Sequence, residues 1–269
     1  MNKKETDKYK KLSEFFDEKV SFYNHPNFII SDPISIPHLF TKKQDIEIAA
    51  LFAAVFAWGN RTTIINKTKE LLQMMDMAPH EFILNLNNNS VQHFAGFKHR
   101  TFKDDDLFYF LEFLHEHYLK NDSLETAFSK WILPTDRNTE NALIGFKKYF
   151  FANEHLRRTE KHISSPLNNS TCKRLNMFLR WMVRKDNTGV DFGLWENIKS
   201  SQLVIPIDVH VARIAKKYGL LKRPQIDWQA ALELTEYLKL LDAEDPVKYD
   251  FALFGLGVNE AANFKLKLK

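Results

Sequence analysis

The sequence predicts an all-α protein. Apolar residues recur at helical spacing over long stretches, and glycine and proline, at 8 and 9 of 269 residues, are too scarce for the turns a many-stranded protein needs. A hydrophobic content of 44% is ordinary for a packed core, so a folded chain rather than a disordered one is expected.

The elements follow in order. An amphipathic helix is expected over 5–22, with Leu12, Phe15, Phe16 and Val20 on one side. Asp45 is read as the cap of a helix that is apolar nearly all round and hence central, through Ile46, Ile48, Leu51, Phe52, Val55, Phe56 and Trp58. Trp58-Gly59-Asn60-Arg61 breaks it, and a second helix is expected over 62–75. Further helices are expected over 104–119, 123–133, 140–153, 170–185, 209–218, 228–241 and 246–256. The polar stretch 157–169, with Ser164-Ser165-Pro166 and Asn168-Asn169, separates two helical patterns as a turn or hairpin. The stretch 185–206 is a second long connection, ending in Leu203-Val204-Ile205 as a buried approach to the next helix; connections of such length tend to be functional.

One cysteine, Cys172, excludes an intramolecular disulfide and a four-cysteine zinc or iron–sulfur site, which fits a reducing compartment. The polar start lacks the pattern of a signal sequence and no apolar run reaches the length of a membrane span, so a cytoplasmic protein is expected. The net charge of +4 is unevenly spread: residues 155–185 hold eight Lys and Arg against one acid, Glu160. Such a patch, with Arg157, Arg158, Arg180 and Arg184 in it, can neutralise phosphates, or can be an ordinary solvated helix face.

Two residues carry the chemistry. With Asn169 or Ser170 as N-cap, Lys173 falls in the first turn of its helix, where Leu175, Phe178, Leu179 and Met182 mark the core face and Lys173, Met177, Arg180 and Arg184 line another. The helix dipole and the like charges of Arg174 and Arg180 favour the neutral amine there, which is the better nucleophile; a phosphate or solvent contact is the other reading. Asp208, in Pro206-Ile207-Asp208-Val209-His210, stands as the N-cap of a helix with Val211, Ile214 and Ala215 inward and Gly219 as its stop. A purely structural cap explains it equally. His210 beside it has no second histidine at ligand spacing, so no metal site is expected.

Taken together these segments resemble the helix-hairpin-helix DNA glycosylase superfamily, which includes endonuclease III and the 8-oxoguanine DNA glycosylases. Cys172-Lys173-Arg174-Leu175-Asn176 matches the family's early-helix lysine with an asparagine three residues on, and Pro206-Ile207-Asp208-Val209-His210-Val211 follows closely its apolar-Asp-Thr-His-apolar helix start. The chain is similar over 45–75 and 140–257 to an uncharacterised bacterial family related to the archaeal 8-oxoguanine DNA glycosylase branch. Tyr249-Asp250-Phe251-Ala252-Leu253-Phe254 resembles a late core helix of that branch.

The resemblance implies a single domain over 1–269 with two helical lobes, a helix-hairpin-helix element at about 140–185 and an active-site cleft between the lobes. It makes Lys173 the attacking amine and Asp208 the catalytic carboxylate, with Asn60 filling the gap left by a flipped base. DNA contacts are expected from Asn60, Arg61, Asn168, Asn169, Ser170, Arg174, Arg180, Arg184 and His210. The implied function is base-excision repair by a monomeric glycosylase with AP lyase activity. It would act without cofactor or membrane on double-stranded DNA that holds an oxidised purine such as 8-oxoguanine. A non-catalytic DNA-structure-binding protein and a monofunctional glycosylase are the alternatives. Two features depart from the family: the hairpin Pro166-Leu167-Asn168-Asn169-Ser170-Thr171 lacks its paired glycines, and the 35-residue interval from Lys173 to Asp208 is far longer than in endonuclease III and nearer the archaeal branch.

Overall fold

In the computed structural model, which describes residues 3–267, the apolar stripes become helices joined by irregular or 3-10 segments. In chain order these are α1 (Lys3–Tyr23), α2 (Lys43–Phe56), α3 (Arg61–Gln73), α4 (Pro79–Leu84) and α5 (Asn88–Gln92). A short hairpin follows, β1 (Lys98–His99) and β2 (Phe102–Lys103). Then come α6 (Asp104–Tyr118), α7 (Glu125–Ser129), α8 (Glu140–Phe150), α9 (Lys173–Val183), α10 (Val209–Lys217), α11 (Trp228–Lys239) and α12 (Tyr249–Lys267). The fold class is all-α, and among the described residues no helix is long and apolar enough to cross a membrane.

The chain divides into two compact units, one of Met1–Phe28, Thr135–Thr139 and Ser165–Lys269, the other of Ile29–Pro134 and Glu140–Ser164. The division falls inside the expected helix-hairpin-helix element, assigning α8 to one unit and the hairpin with α9 to the other.

In the second unit α2 is the central helix, buried from Ile46 to Phe56 as its apolar sequence requires. Its one buried charge, Glu47, is satisfied by the Tyr118 hydroxyl, the Ser123 hydroxyl and the Leu124 N–H. Asp45 does not cap α2 as expected. Lys42 holds the cap position, and Asp45, inside the first turn, accepts from the His80 N–H at 2.8 Å, so it serves the start of α4 instead.

In the first unit α12 packs against both α1 and α10. Gly255 permits the approach to α1, since a Cβ there would stand 2.4 Å from the Tyr23 ring. The long connection after α9 folds back over it: the Phe192 N–H donates to the Trp181 carbonyl at 2.8 Å and the Trp195 N–H to that of Met182 at 2.9 Å. Leu203, Val204 and Ile205 are buried on the way to α10, as their apolar run predicts.

Candidate functional site

The site is built on the turn from Ser165 to Cys172. Ser165 accepts from the Leu167 N–H at 3.3 Å and starts a 3-10 turn, Pro166–Asn168, that Asn169 ends in the left-handed region at φ 54°. Asparagine tolerates that conformation through its short polar side chain, so the turn forms without the family's glycines. The Asn169 carbonyl accepts from the Trp228 N–H at 3.3 Å, which ties the turn to the start of α11. Ser170 Oγ accepts from the Cys172 N–H at 3.1 Å. The helix starts later than expected: neither Asn169 nor Ser170 is its cap, and Cys172, left-handed at φ 50°, holds that position with no side-chain cap bond. Asn176 supplies the missing tie, its Nδ2 donating to the Thr171 carbonyl at 3.0 Å. That bond gives a physical reason for an asparagine three residues after the lysine, because it holds the turn that aims Lys173 from the first helical position.

Asp208 caps α10 as its sequence predicts. Oδ1 accepts from the His210 and Val211 N–H groups at 2.9 and 3.0 Å, and Oδ2 lies 3.3 Å from Lys173 Nζ. The two carboxylate oxygens thus divide their work, one fixed by backbone and one turned to the amine. The fold closes the 35-residue interval and leaves the pair accessible, at 31% exposure for Lys173 and 19% for Asp208. An amine and a carboxylate in contact at two helix starts, open to a ligand, can pass a proton between them and present a nucleophile.

Two expected DNA contacts are corrected by the structure. Arg180 and Arg184 are 4% and 3% exposed and lie inside the first unit, not on a surface. Arg180 bonds Asp191 at 3.2 Å and Asp250, while Arg184 bonds Asp191 at 3.1 Å, Asp186 at 2.6 Å and Asp245 at 2.9 Å. Two guanidiniums buried among four carboxylates are not presented to phosphates at the surface. The expected basic patch loses Arg158 in the same way, to Asp105 and Asp106 at 3.3 and 2.9 Å. Arg157 remains exposed and Arg174 is half-buried.

The other expected contacts divide between the units. Asn168 and Asn169 are exposed on the turn and Ser170 is half-buried beside them. His210 follows the Asp208 cap, its Cβ 3.1 Å from where a Cβ on Gly257 of α12 would stand. Asn60 and Arg61 belong to the second unit, where exposed Asn60 caps α3 by accepting from the Thr63 N–H at 3.2 Å and Arg61 is the first helical residue.

Asp250 of α12 is a site neighbour that the motif reading passed over. Burial pushes its carboxyl up to about 6; Arg180 pulls it down, Asp208 adds to the rise and Lys173 opposes it. Both members of the exposed pair therefore act on it electrostatically. The available signal was a lone acid among Tyr249, Phe251, Ala252 and Leu253, since an acid in an apolar run is seldom buried unless paired. Among the described residues no group of three or more His, Cys, Asp or Glu could hold a metal ion, and Cys172 is buried and in no disulfide.

The family model described as protein of unknown function DUF2400 matches residues 32–259, and the chain belongs to that family. No curated protein and no solved structure matches it.

Proposed function

We propose that this DUF2400 member is a DNA base-excision glycosylase with AP lyase activity, with Lys173 as nucleophile and Asp208 as its base and electrostatic partner. The observation that carries the reading is the contact of Lys173 Nζ with Asp208 Oδ2 at 3.3 Å, where both side chains remain accessible. The resemblance to helix-hairpin-helix glycosylases supplies the substrate class: duplex DNA with an oxidised purine such as 8-oxoguanine, gripped through the turn at Asn168, Asn169 and Ser170.

In the chemistry that follows, Asp208 Oδ2 takes a proton from the Lys173 ammonium while Oδ1 keeps its backbone bonds. The freed amine forms a bond to the sugar C1′ as the C1′–N bond breaks, and the base leaves with that electron pair and takes the proton held on Asp208 Oδ2, which returns the carboxylate to its charged form. One N–H proton then passes to O4′ as the C1′–O4′ bond opens, which leaves an iminium between Nζ and C1′ whose charge the nearby carboxylate stabilises. Loss of a C2′ proton then expels the 3′ phosphate, and water hydrolyses the remaining imine to return the amine.

Borohydride reduction tests this, because it traps only an imine. Wild-type protein with a duplex holding one 8-oxoguanine should give a covalent adduct, whereas Lys173→Gln should bind the same duplex and give none. A wild-type protein that traps no adduct on oxidised, alkylated or deaminated duplexes overturns the reading. One observation favours a second reading, a DNA-structure-binding protein without chemistry: the pair also ties the starts of α9 and α10 together, which a scaffold alone could use. That protein would bind duplex and give no adduct in any variant.

A further inference from the structure

We propose that the corner where α2 turns into α3, with the tip of the β1–β2 hairpin, is a stacking platform for an unpaired base of DNA. The inference rests on the DNA partner of the preceding reading and not on its chemistry at Lys173. All of its residues lie in the second unit.

The corner is assembled by unusual backbone. Helix α2 ends at Phe56, and Gly59 takes φ 113°, a conformation that strains any other residue. Trp58 is left 47% exposed. Arg100 lies over its ring, the guanidinium carbon 4.2 Å from the ring centroid. Gly59 is needed there twice over, since a Cβ would stand 2.5 Å from Arg100 Nη1. Arg100 itself is left-handed at φ 56°, a costly conformation for arginine that the hairpin maintains. What maintains it is the buried side of the hairpin: His99 Nε2–H donates to the Phe56 carbonyl at 3.1 Å, and Phe97, His99 and Phe102 pack around the Phe56 ring. The Trp58–Arg100 stack is thus held from beneath and turned outward.

Its surroundings carry more cations than acids. Residues 57–70 and 91–106 together hold six Lys and Arg, namely Arg61, Lys67, Lys69, Lys98, Arg100 and Lys103, against four acids, of which Glu70 pairs with Lys67 at 2.7 Å, Asp105 and Asp106 pair with Arg158, and Asp104 accepts from the Gly96 N–H. Lys98, Arg100 and Lys103 are exposed. A half-exposed indole forgoes the gain of full burial, and its fold-level task of ending a helix needs no aromatic ring. A flat aromatic–guanidinium stack within cations suits a nucleobase whose phosphates follow the basic residues. An acidic peptide would use the charge but leave the ring unexplained.

The test separates base from backbone. A labelled short oligothymidylate and an oligomer of the same length with abasic sites throughout carry equal phosphate charge, so only the first offers bases to stack. Wild-type protein should bind the thymidylate about tenfold more tightly. Trp58→Ala should remove that preference, Trp58→Phe should keep most of it, and Arg100→Gln should weaken both oligomers and reduce the preference. Circular dichroism checks that each variant is folded. Equal binding of the two oligomers by wild type, or an undiminished preference in Trp58→Ala, overturns the platform. Neither probe holds a lesion, so Lys173→Gln should retain the preference. A chain that keeps it yet traps no adduct loses the glycosylase reading alone. A chain that traps adduct without it loses the platform alone.

Discussion

Helix α9 presents Lys173, Met177, Arg180 and Arg184 along one side, and its two ends treat that side in opposite ways. At the start, Lys173 is part-exposed and meets a single carboxylate, Asp208, at 3.3 Å. Two turns on, Arg180 and Arg184 are buried and meet four, from Asp186, Asp191, Asp245 and Asp250. In the buried group the low dielectric makes every partner necessary, because removing one charge strands others without water to receive them. At the open end water can replace either partner, so the pair adds little to stability. One helix therefore carries a buried charged cluster at one end and, at the other, a part-exposed lysine paired to a single carboxylate.

The strongest way to break this contrast is Arg180→Ala, which leaves Asp191 and Asp250 buried without their shared cation. It should cost about 3–5 kcal/mol in urea unfolding, and a loss below about 1 kcal/mol would show that the buried acids had neutralised themselves by other means. Asp208→Ala should cost about 1 kcal/mol, the worth of a helix cap, whereas Asp208→Asn keeps the cap and should cost only a few tenths. Both should slow adduct formation, since neither supplies a negative charge beside the sugar. If Asp208→Asn traps adduct at the wild-type rate, the carboxylate is a cap and nothing more.

The smallest effect is in pH, and it contrasts one acid in each unit. Burial pushes Asp106 up, but the His162 ring, the Thr159 hydroxyl and the Lys103 N–H outweigh it and hold the carboxyl down at about 2. The unfolded chain then binds more protons between about 2 and 4, so this group's stabilisation is present above about 4 and lost as pH falls. Asp250, held up at about 6, has the opposite sign. The folded chain binds more protons between about 4 and 6, so its contribution is present below about 4 and lost as pH rises through 6. Asp250→Asn, which keeps an acceptor for Arg180, should gain melting temperature relative to wild type across that window. A difference that stays constant with pH would place the Asp250 carboxyl in the ordinary range.

Much of the architecture is local and therefore legible. The start of α10 at Val209 follows from Asp208 as a cap, and the burial of α2 follows from a stretch apolar nearly all round. The helix over 246–256 shows where this fails: Pro246–Lys248 is a 3-10 turn and α12 begins at Tyr249. Proline fixes its own φ but does not decide whether the next turn closes at three or four residues.

The place of Lys173 in the first turn of α9, the Asp208 cap on α10 and the all-α class were thus legible in the sequence alone, because each depends on patterns within a turn or two. The fate of Arg180 and Arg184 was not. Periodicity places them on a side of α9, but what covers that side comes from Asp191, Asp245 and Asp250, 7 to 70 residues away along the chain. The same holds for Trp58 and Arg100, and for the 3.3 Å that separates Lys173 from Asp208. Charge is written residue by residue, but whether it meets water or an opposite charge is decided by packing between distant segments, and tertiary structure alone settles that.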